Sequence, residues 1–319
     1  MSEIIIDCTR LVAEEAPKSV EEFKPLRGQA RIFKNGITNE HALGLNFETA
    51  KDLLPNDEID LSFSLLNDNL QMQCRLHDFL DYSVGKQDLD VTGHELNSGR
   101  TFSRNFTDEP IYLFQYNCNH DPMLSKFVTC PEFVGDWFDK YMPMFKHAVV
   151  YGSTHTWYFI GPKGTKTELH TDHDFAHTTI QQLDGEKRFF LCSPQDYMRV
   201  QKTLGSILEQ IEFKLIDNNH CKVLSLKGDP DLNIFNDINI LCGDLQKHDL
   251  VYLPNGWGHY AESLTPSFSV SRDFIDETNA DAYFFSGVFV SELFAKAKYN
   301  ISVQELTKMY IEYELLQEA

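Results

Sequence analysis

The sequence lacks the features that mark membrane-spanning, secreted and zinc-ribbon proteins. None of its apolar runs reaches the eighteen or so residues that a membrane-spanning helix needs. The opening residues, MSEIIIDCTRLVAEEA, carry no basic segment ahead of an apolar stretch, so no secretory signal is expected. The seven cysteines are scattered singly without a CxxC pair, which argues against a disulfide framework and a structural zinc site. We therefore expect a cytoplasmic protein that does not enter the membrane.

Positive charge is also scarce. The chain has 28 lysines and arginines against 48 aspartates and glutamates, which gives a formal net charge of −20. Such a surface repels phosphate backbones, so nucleic acid is not expected as a partner. It would attract a basic protein or peptide, although the same acidity can serve solubility alone.

The pattern of apolar, polar and turn-forming residues changes near residue 106. Residues 1–105 mix apolar runs with helical patches, at Asn46–Leu54 and Leu70–Tyr82, and predict an N-terminal α+β region packed on the remainder of the chain. Residues 106–278 contain short β-rich runs between turn residues, which are typical of a barrel or sandwich. Within them we expect a helix at 130–142 and an irregular insert at about 196–240, made of a helix and a long loop.

The last segment, residues 279–319, returns to a helical period. Its apolar residues recur at i, i+3 and i+4 spacing, from Leu293 to Leu316, and predict a pair of amphipathic helices. The apolar stripe packs either on the same barrel or on a second subunit.

The run TELHTDHDF, residues 167–175, contains the first candidate metal ligands. In a strand, residues two apart point to the same face, so His170 and Asp172 would lie side by side. They make two-thirds of a 2-His-1-carboxylate triad, which binds non-haem iron(II) and leaves positions open. The third candidate is His259, which follows an apolar strand and a Pro-Asn-Gly turn, with Trp257 packed beside it.

Three more polar residues lie close to the HxD pair. His173, Asp174 and His177 are either further ligands or exposed polar residues. By strand alternation Asp174 shares the face of Asp172, whereas His173 points away. An HxD pair among twelve histidines is not specific by itself.

A candidate anion site lies downstream, in the run GEKRFFLCSP. A positive charge that projects into a barrel is costly unless an anion meets it, and Lys187 could be that charge. A dicarboxylate that chelates iron at one end would need a cation and a hydroxyl at the other, and Lys187 and Thr167 fit those roles. The alternative for Lys187 is a solvated lysine at a hairpin end, which is our interpretation of Lys163, Lys166 and Arg188.

Taken together, these motifs resemble a known family. The runs GPKGTKTELHTD, GEKRFFLCSP and VYLPNGWGHYAESL, followed by SFSVSRDF, look like the JmjC domain of the cupin-like 2-oxoglutarate oxygenases. They are most similar to the branch that contains the asparaginyl hydroxylase inhibiting the hypoxia-inducible factor. The resemblance covers residues 110–274 and implies a mainly β fold with helices, in which a double-stranded β-helix forms a jelly-roll, cupin-like barrel. In that branch the C-terminal helices form a homodimer interface.

The resemblance also implies roles for single residues. His170, Asp172 and His259 match the iron(II) ligands, and Lys187, Thr167 and Tyr112 match residues that bind the far carboxylate of 2-oxoglutarate.

Further matches line the pocket. Thr178 and Ile180 fall where the branch has an asparagine and a phenylalanine. A further asparagine of the branch is matched by Ser271 or Arg272, and the sequence does not choose between them.

The predicted function is an Fe(II)- and 2-oxoglutarate-dependent dioxygenase that uses O2 to hydroxylate a protein or peptide side chain. Three alternatives are hydroxylation of a small molecule or lipid sugar, demethylation of methyl-lysine, and a metal cupin that only binds a ligand or isomerises one. Demethylation ranks below hydroxylation because no histone-reading module or cysteine-rich zinc insert is recognisable. Lys187 and Thr167 argue against the last alternative, which needs no cation and hydroxyl at those places.

Overall fold

A computed structural model describes most of the chain and shows a fold dominated by β-strands. It describes residues 2–61, 70–95, 101–105, 110–117, 126–137, 156–172, 175–280 and 282–283. His173, Asp174 and most of the predicted C-terminal helical segment lie outside these residues. No helix in the described ranges combines the length and apolar character needed to cross a bilayer.

The strands of the described residues are numbered in chain order. They are β1 (Glu3–Asp7), β2 (Thr9–Arg10), β3 (Glu14–Glu15), β4 (Arg31–Lys34), β5 (Glu58–Leu61), β6 (Leu70–Arg75), β7 (Asp90–Glu95), β8 (Thr101–Asn105), β9 (Leu113–Asn117), β10 (Thr156–Gly161), β11 (Lys166–His170), β12 (His177–Asp184), β13 (Lys187–Cys192), β14 (Ile211–Leu215), β15 (His220–Ser225), β16 (Leu241–Leu245), β17 (Leu250–Leu253), β18 (Gly258–Ser263) and β19 (Ser267–Phe274).

The helices are short, apart from two. They are α1 (Val20–Phe23), α2 (Glu40–Leu43), α3 (Ala50–Leu53), α4 (Leu76–Ser83) and α5 (Pro194–Leu204), with 3-10 turns at Lys24–Leu26, Glu132–Val134, Gly205–Gln210 and Leu232–Asp237.

Two large sheets face each other. One has seven strands in the order β3-β4-β17-β12-β19-β10-β9, and the other has five in the order β11-β18-β13-β16-β2. Apolar side chains from both sheets, among them Ile180, Val251, Phe189 and Ala261, pack together in the space between them. Most neighbouring strands in these two sheets are not consecutive in the chain, as a jelly roll requires. The predicted mainly β, cupin-like fold class is confirmed.

The N-terminal residues are part of these two sheets. Strand β4 pairs with β17 in the seven-stranded sheet, and β2 pairs with β16 in the five-stranded sheet. Residues 9–34 therefore complete the framework on which the site is built. Strands β5 to β8 form a separate four-stranded sheet.

The outer face of the five-stranded sheet is covered by the stretch predicted to be an irregular insert. In place of a long loop it contains α5 and a β14–β15 hairpin, which joins β1 in a three-stranded sheet. The hairpin turn is closed by Asp217, whose carboxylate accepts hydrogen bonds from the main-chain N–H groups of Asn219 and His220. Alternating apolar residues such as Phe213 and Val223 pack on the sheet, so the pattern is that of regular strands.

Two helical predictions need correction. Of the patch Leu70–Tyr82, the first six residues form β6, because they pair with β5 and β7, and the helix begins at Leu76. Of the helix expected at 130–142, the described part contains only the 3-10 turn Glu132–Val134, which ends at Gly135 with φ +69°.

Candidate active site

Strand alternation directs polar side chains into the space between the large sheets. Along β19, Ser269, Ser271 and Asp273 point inward and are buried, whereas Val270 and Phe274 point outward into apolar clusters. Buried polar groups are costly unless something binds them, so this face predicts a polar site inside a mainly apolar fold.

A β-bulge brings Thr167 and His170 to the same interior face. Residues three apart in a regular strand point to opposite faces. On β11, however, Thr167 pairs with Ala261 and His170 with His259, so three steps on one strand match two on the other. The extra residue turns Leu169 outward, into the cluster under α5. Thr167 and both histidines therefore share one cavity wall.

His170, Asp172 and His259 lie together. Asp172 Oδ1 is 3.8 Å from His170 Nε2 and 3.7 Å from His259 Nε2, and the donor atoms of all three lie within 4.8 Å of one another. Within the described residues this is the one group of three or more potential ligand side chains so close together. Two imidazoles and one carboxylate are the donor set that suits iron(II) with open positions.

Main-chain hydrogen bonds determine which ring nitrogen of each of the two imidazoles carries the proton. His170 Nδ1 is 2.7 Å from the Glu168 carbonyl, and His259 Nδ1 is 3.2 Å from the Trp257 carbonyl. A carbonyl only accepts, so each Nδ1 carries the proton and each Nε2 keeps its lone pair. Main-chain carbonyls that fix a histidine tautomer in this way are common around metal ions. The residues present therefore fit a bound iron(II).

Asp172 is not positioned by strand β11, as the sequence had led us to expect. Strand β11 ends at His170, so Asp172 lies beyond the strand rather than in it. Thr178 on β12 fixes it instead, since its Oγ1 is 2.8 Å from Asp172 Oδ2 and 2.7 Å from Asp273 Oδ1. The hydroxyl bridges the candidate ligand to a buried carboxyl on β19.

Lys187 lies inside the fold and not at a solvated hairpin end. Its Nζ donates to Tyr112 Oη at 3.0 Å and to Ser269 Oγ at 2.7 Å. Burial lowers the pKa of the Lys187 ammonium from 10.5 to about 7. No carboxylate of the described residues lies within salt-bridge distance of it. Among the described residues, Lys187 is thus a buried cation without a carboxylate partner, and a ligand carboxylate would stabilise its charged form.

Tyr112 and Thr167 complete this anion pocket. Burial raises the pKa of the Tyr112 phenol, and a hydrogen bond with Thr167 partly opposes that shift. The phenol is therefore neutral and can donate a hydrogen bond. One ammonium and several hydroxyl groups match what the far carboxylate of a dicarboxylate needs.

Ser271 and Arg272, the two candidates for one position of the pocket, point to opposite faces of β19. Ser271 faces the interior, is 2% exposed, and its Oγ has no hydrogen-bond partner among the described residues. Arg272 faces the other way and contacts Thr156 and Asp136. Of the two, only Ser271 lies in the cavity. Ile180 also faces the interior, packed with Phe189.

The neighbouring basic residues and histidines lie elsewhere. Arg188 points outward to Asp244, with Nε 2.6 Å from Oδ1, and Lys166 pairs with Glu212. His177 is buried but does not belong to the three-residue group. Trp257 packs beside the interior cluster and donates its indole N–H to the Gly28 carbonyl.

Sequence reasoning missed Ser269 and Asp273. Both could have been found, because the run SFSVSRD places small polar residues at every second position of a strand. An interior strand with one polar face indicates a polar site. The pattern does not indicate which side chain each of these residues contacts.

Comparisons with known proteins agree with this geometry. Residues 62–285 match the family model described as a cupin-like domain. Over 251 residues, the chain is 19% identical to the 2-oxoglutarate and iron-dependent oxygenase JMJD4 homolog of Drosophila melanogaster, covering 76% of this chain and 53% of that protein. This chain thus spans about half the length of that relative.

Two shorter matches have similar names. Jumonji C domain-containing protein 5 of Drosophila melanogaster is 29% identical over 114 residues, which are 35% of this chain and 26% of that protein. JmjC domain-containing protein D of Dictyostelium discoideum is 28% identical over 112 residues, 35% of this chain and 23% of that protein. The fold, the interior donor set and a family match over more than half of its length lead to one conclusion: this chain belongs to the cupin-like domain family.

Proposed function

We propose that this chain is an Fe(II)- and 2-oxoglutarate-dependent dioxygenase that hydroxylates a protein or peptide side chain. His170, Asp172 and His259 hold the iron. Lys187, Tyr112 and Thr167 bind the far carboxylate of 2-oxoglutarate, with Ser269 beside them. Bound iron and 2-oxoglutarate supply the oxidising chemistry, in which O2 is consumed, 2-oxoglutarate becomes succinate and CO2, and one oxygen atom goes to the substrate.

The observation that carries this proposal is the buried Lys187 in the same cavity as the His-Asp-His group. A metal site alone would suit a metal cupin without oxygenase activity. A desolvated ammonium surrounded by hydroxyl groups, with a pKa lowered by burial, needs an anionic partner. A dicarboxylate that reaches from the metal to the ammonium satisfies both sites at once.

The residues of the chain do the work of binding and orientation. The imidazole tautomers present lone pairs to the metal, and the Thr178 hydroxyl fixes the angle of the Asp172 carboxylate. Interior residues such as Ile180, Phe189 and Ala261 form an apolar wall that excludes water from the reacting atoms.

The target, location and oligomeric state rest on weaker observations. The net charge of −20 supports a basic protein or peptide as substrate, because opposite charge steers association. Five cysteines are free thiols, namely Cys8, Cys74, Cys192, Cys221 and Cys242, which supports a reducing, cytoplasmic location. We also propose a homodimer through residues 279–319, which light scattering of the purified chain tests.

The test of the function is succinate release. The chain is incubated with iron(II), ascorbate, 2-oxoglutarate and ¹⁸O2 in a cell extract, and labelled products are found by mass spectrometry. We expect succinate and a protein carrying one heavy oxygen. Label on a small metabolite alone would contradict the protein substrate, and no succinate with any extract would contradict the oxygenase.

Matched variants tie the result to the site. Lys187→Met keeps the length of the side chain but removes the charge, and should abolish succinate release. Lys166→Met removes an ammonium from the outer face, next to Glu212, and should leave it unchanged. Equal activity in the two variants would contradict the anion pocket.

A further inference from the structure

His177 is the nearby histidine that neither the iron site nor the anion pocket uses. It opens β12, is 5% exposed, and its ring packs against Tyr252 and Phe274 with centroids 5.8 and 5.2 Å away. A buried histidine needs partners for both ring nitrogens. The two partners of His177 lie 78 and 101 positions further along the sequence.

The first partner belongs to the turn that leads to His259. The main-chain N–H of Asn255 donates to His177 Nδ1 at 3.0 Å. Asn255 lies in the turn closed by the hydrogen bond from Trp257 N to the Pro254 carbonyl, and His259 Nδ1 is bonded to Trp257 O. The Asn255 amide is thus an attachment point for the segment that orients the His259 ring.

The second partner fixes the tautomer. Because Nδ1 accepts from Asn255, it carries no proton, and the proton of the neutral ring is on Nε2. Nε2 lies 3.0 Å from Thr278 Oγ1, which in turn donates to Asp276 Oδ1 at 2.6 Å. Asp276 is fully buried and pairs with Arg27, whose Nε is 3.0 Å away. This chain of polar contacts locks the imidazole in the orientation that Asn255 requires.

From these contacts we propose that His177 is a positioning residue for the iron ligand His259, acting through the main-chain amide of Asn255. The inference rests on the proposed iron site. Its effect is on metal affinity, since residues that orient a metal ligand without touching the ion typically change affinity by about 10- to 100-fold.

Two substitutions at His177 distinguish the role of Nδ1 from that of Nε2. In His177→Asn the side-chain oxygen can take the place of Nδ1 and accept from Asn255, while the contact to Thr278 is lost. In His177→Gln the amide reaches the place of Nε2 and can serve Thr278, while Asn255 loses its acceptor. Both variants lose the ring packing against Tyr252 and Phe274, so both lose thermal stability to a similar degree.

The experiment is a titration of the full-length chain with Mn(II), followed by electron paramagnetic resonance of the free ion. We expect the Kd of His177→Gln to rise about tenfold and that of His177→Asn to stay within about twofold of the parent chain. Equal Kd values in the two variants, whether raised or not, would overturn the positioning role.

Two further measurements keep the test sharp. If the parent chain and His259→Ala bind Mn(II) equally well, the iron site itself is wrong, which is a different result from equal Kd values in the two His177 variants. If His177→Gln does not fold, ¹⁵N NMR of histidine-labelled parent chain decides, with the His177 signals assigned by their loss in His177→Asn. We expect a protonated Nε2 and an unprotonated Nδ1, and the opposite tautomer would overturn the proposal.

Discussion

His170 and His259 lie directly opposite each other on neighbouring antiparallel strands, with ring centroids 4.1 Å apart. This pairing exists because the bulge in β11 shifts the register between Thr167 and His170. Without the extra residue, Thr167 and His170 would point to opposite faces of the sheet. One local irregularity therefore brings a candidate metal ligand and a candidate co-substrate ligand into one cavity.

The hydroxyl of Thr178 should matter for metal binding. Thr178→Val keeps the shape of the side chain and removes the contact to Asp172, so the carboxylate loses its orientation. We expect the Mn(II) Kd to rise about tenfold. Thr179→Val is the control, because Thr179 faces outward and bonds the Arg272 carbonyl. Equal affinity in both variants would show that the bridge to Asp172 has no such role.

The affinity for 2-oxoglutarate should depend on pH through Lys187. Burial lowers the pKa of the free ammonium to about 7, and a bound carboxylate raises it again. Above pH 7 and below the pKa of the complex, binding must take up a proton, so Kd should rise by about tenfold per pH unit. Calorimetry of the Mn(II)-loaded chain at pH 7, 8 and 9, in buffers of different ionisation enthalpy, measures both Kd and proton uptake. A flat profile without proton uptake would exclude Lys187 as the anion partner.

Ser269 should contribute to the same pocket. Its hydroxyl contacts Lys187 Nζ at 2.7 Å, and hydrogen bonds to a charged group are worth about 1.5–3 kcal/mol. Ser269→Ala should therefore weaken 2-oxoglutarate binding by about tenfold or more. Ser267→Ala is the matched control, since Ser267 lies on the same face of β19 but bonds Gln182. A loss of affinity in the control alone would place the pocket at the wrong end of the strand.

Gly185 should be required for the turn between β12 and β13. Its φ is +73°, and a Cβ would lie 1.8 Å from the Pro266 carbonyl oxygen, which is main chain and cannot rotate away. We expect Gly185→Ala to lower the free energy of unfolding by more than about 2 kcal/mol. Gly228 has a φ of +75° but open space around it, so Gly228→Ala measures the cost of a positive φ without a steric clash. Urea denaturation measures both, and equal losses would mean that the close approach to Pro266 does not occur.

Much of the site could be predicted from the sequence because strand alternation is a local rule. The positions of Lys187 and Phe189 on β13, and of His259 and Ala261 on β18, are consistent with residues two apart sharing a face. The order of the motifs then allowed the resemblance to the JmjC family to be recognised.

The features that the sequence did not predict depend on contacts between residues that are far apart in the sequence. The bulge in β11 exists only in the pairing with β18, and Asp172 is fixed by Thr178 rather than by its own strand. Likewise, nothing in the residues of β4 indicates that they join β17, more than two hundred positions away. The partner of a strand is a non-local choice, which periodicity does not encode.

The most direct test of the account is a crystal structure of the chain with Mn(II) and 2-oxoglutarate, grown without O2. We predict one ion bound by His170, Asp172 and His259, with the far carboxylate of 2-oxoglutarate at the Lys187 ammonium. An ion bound by other side chains, or a carboxylate that lies away from Lys187, would contradict the account.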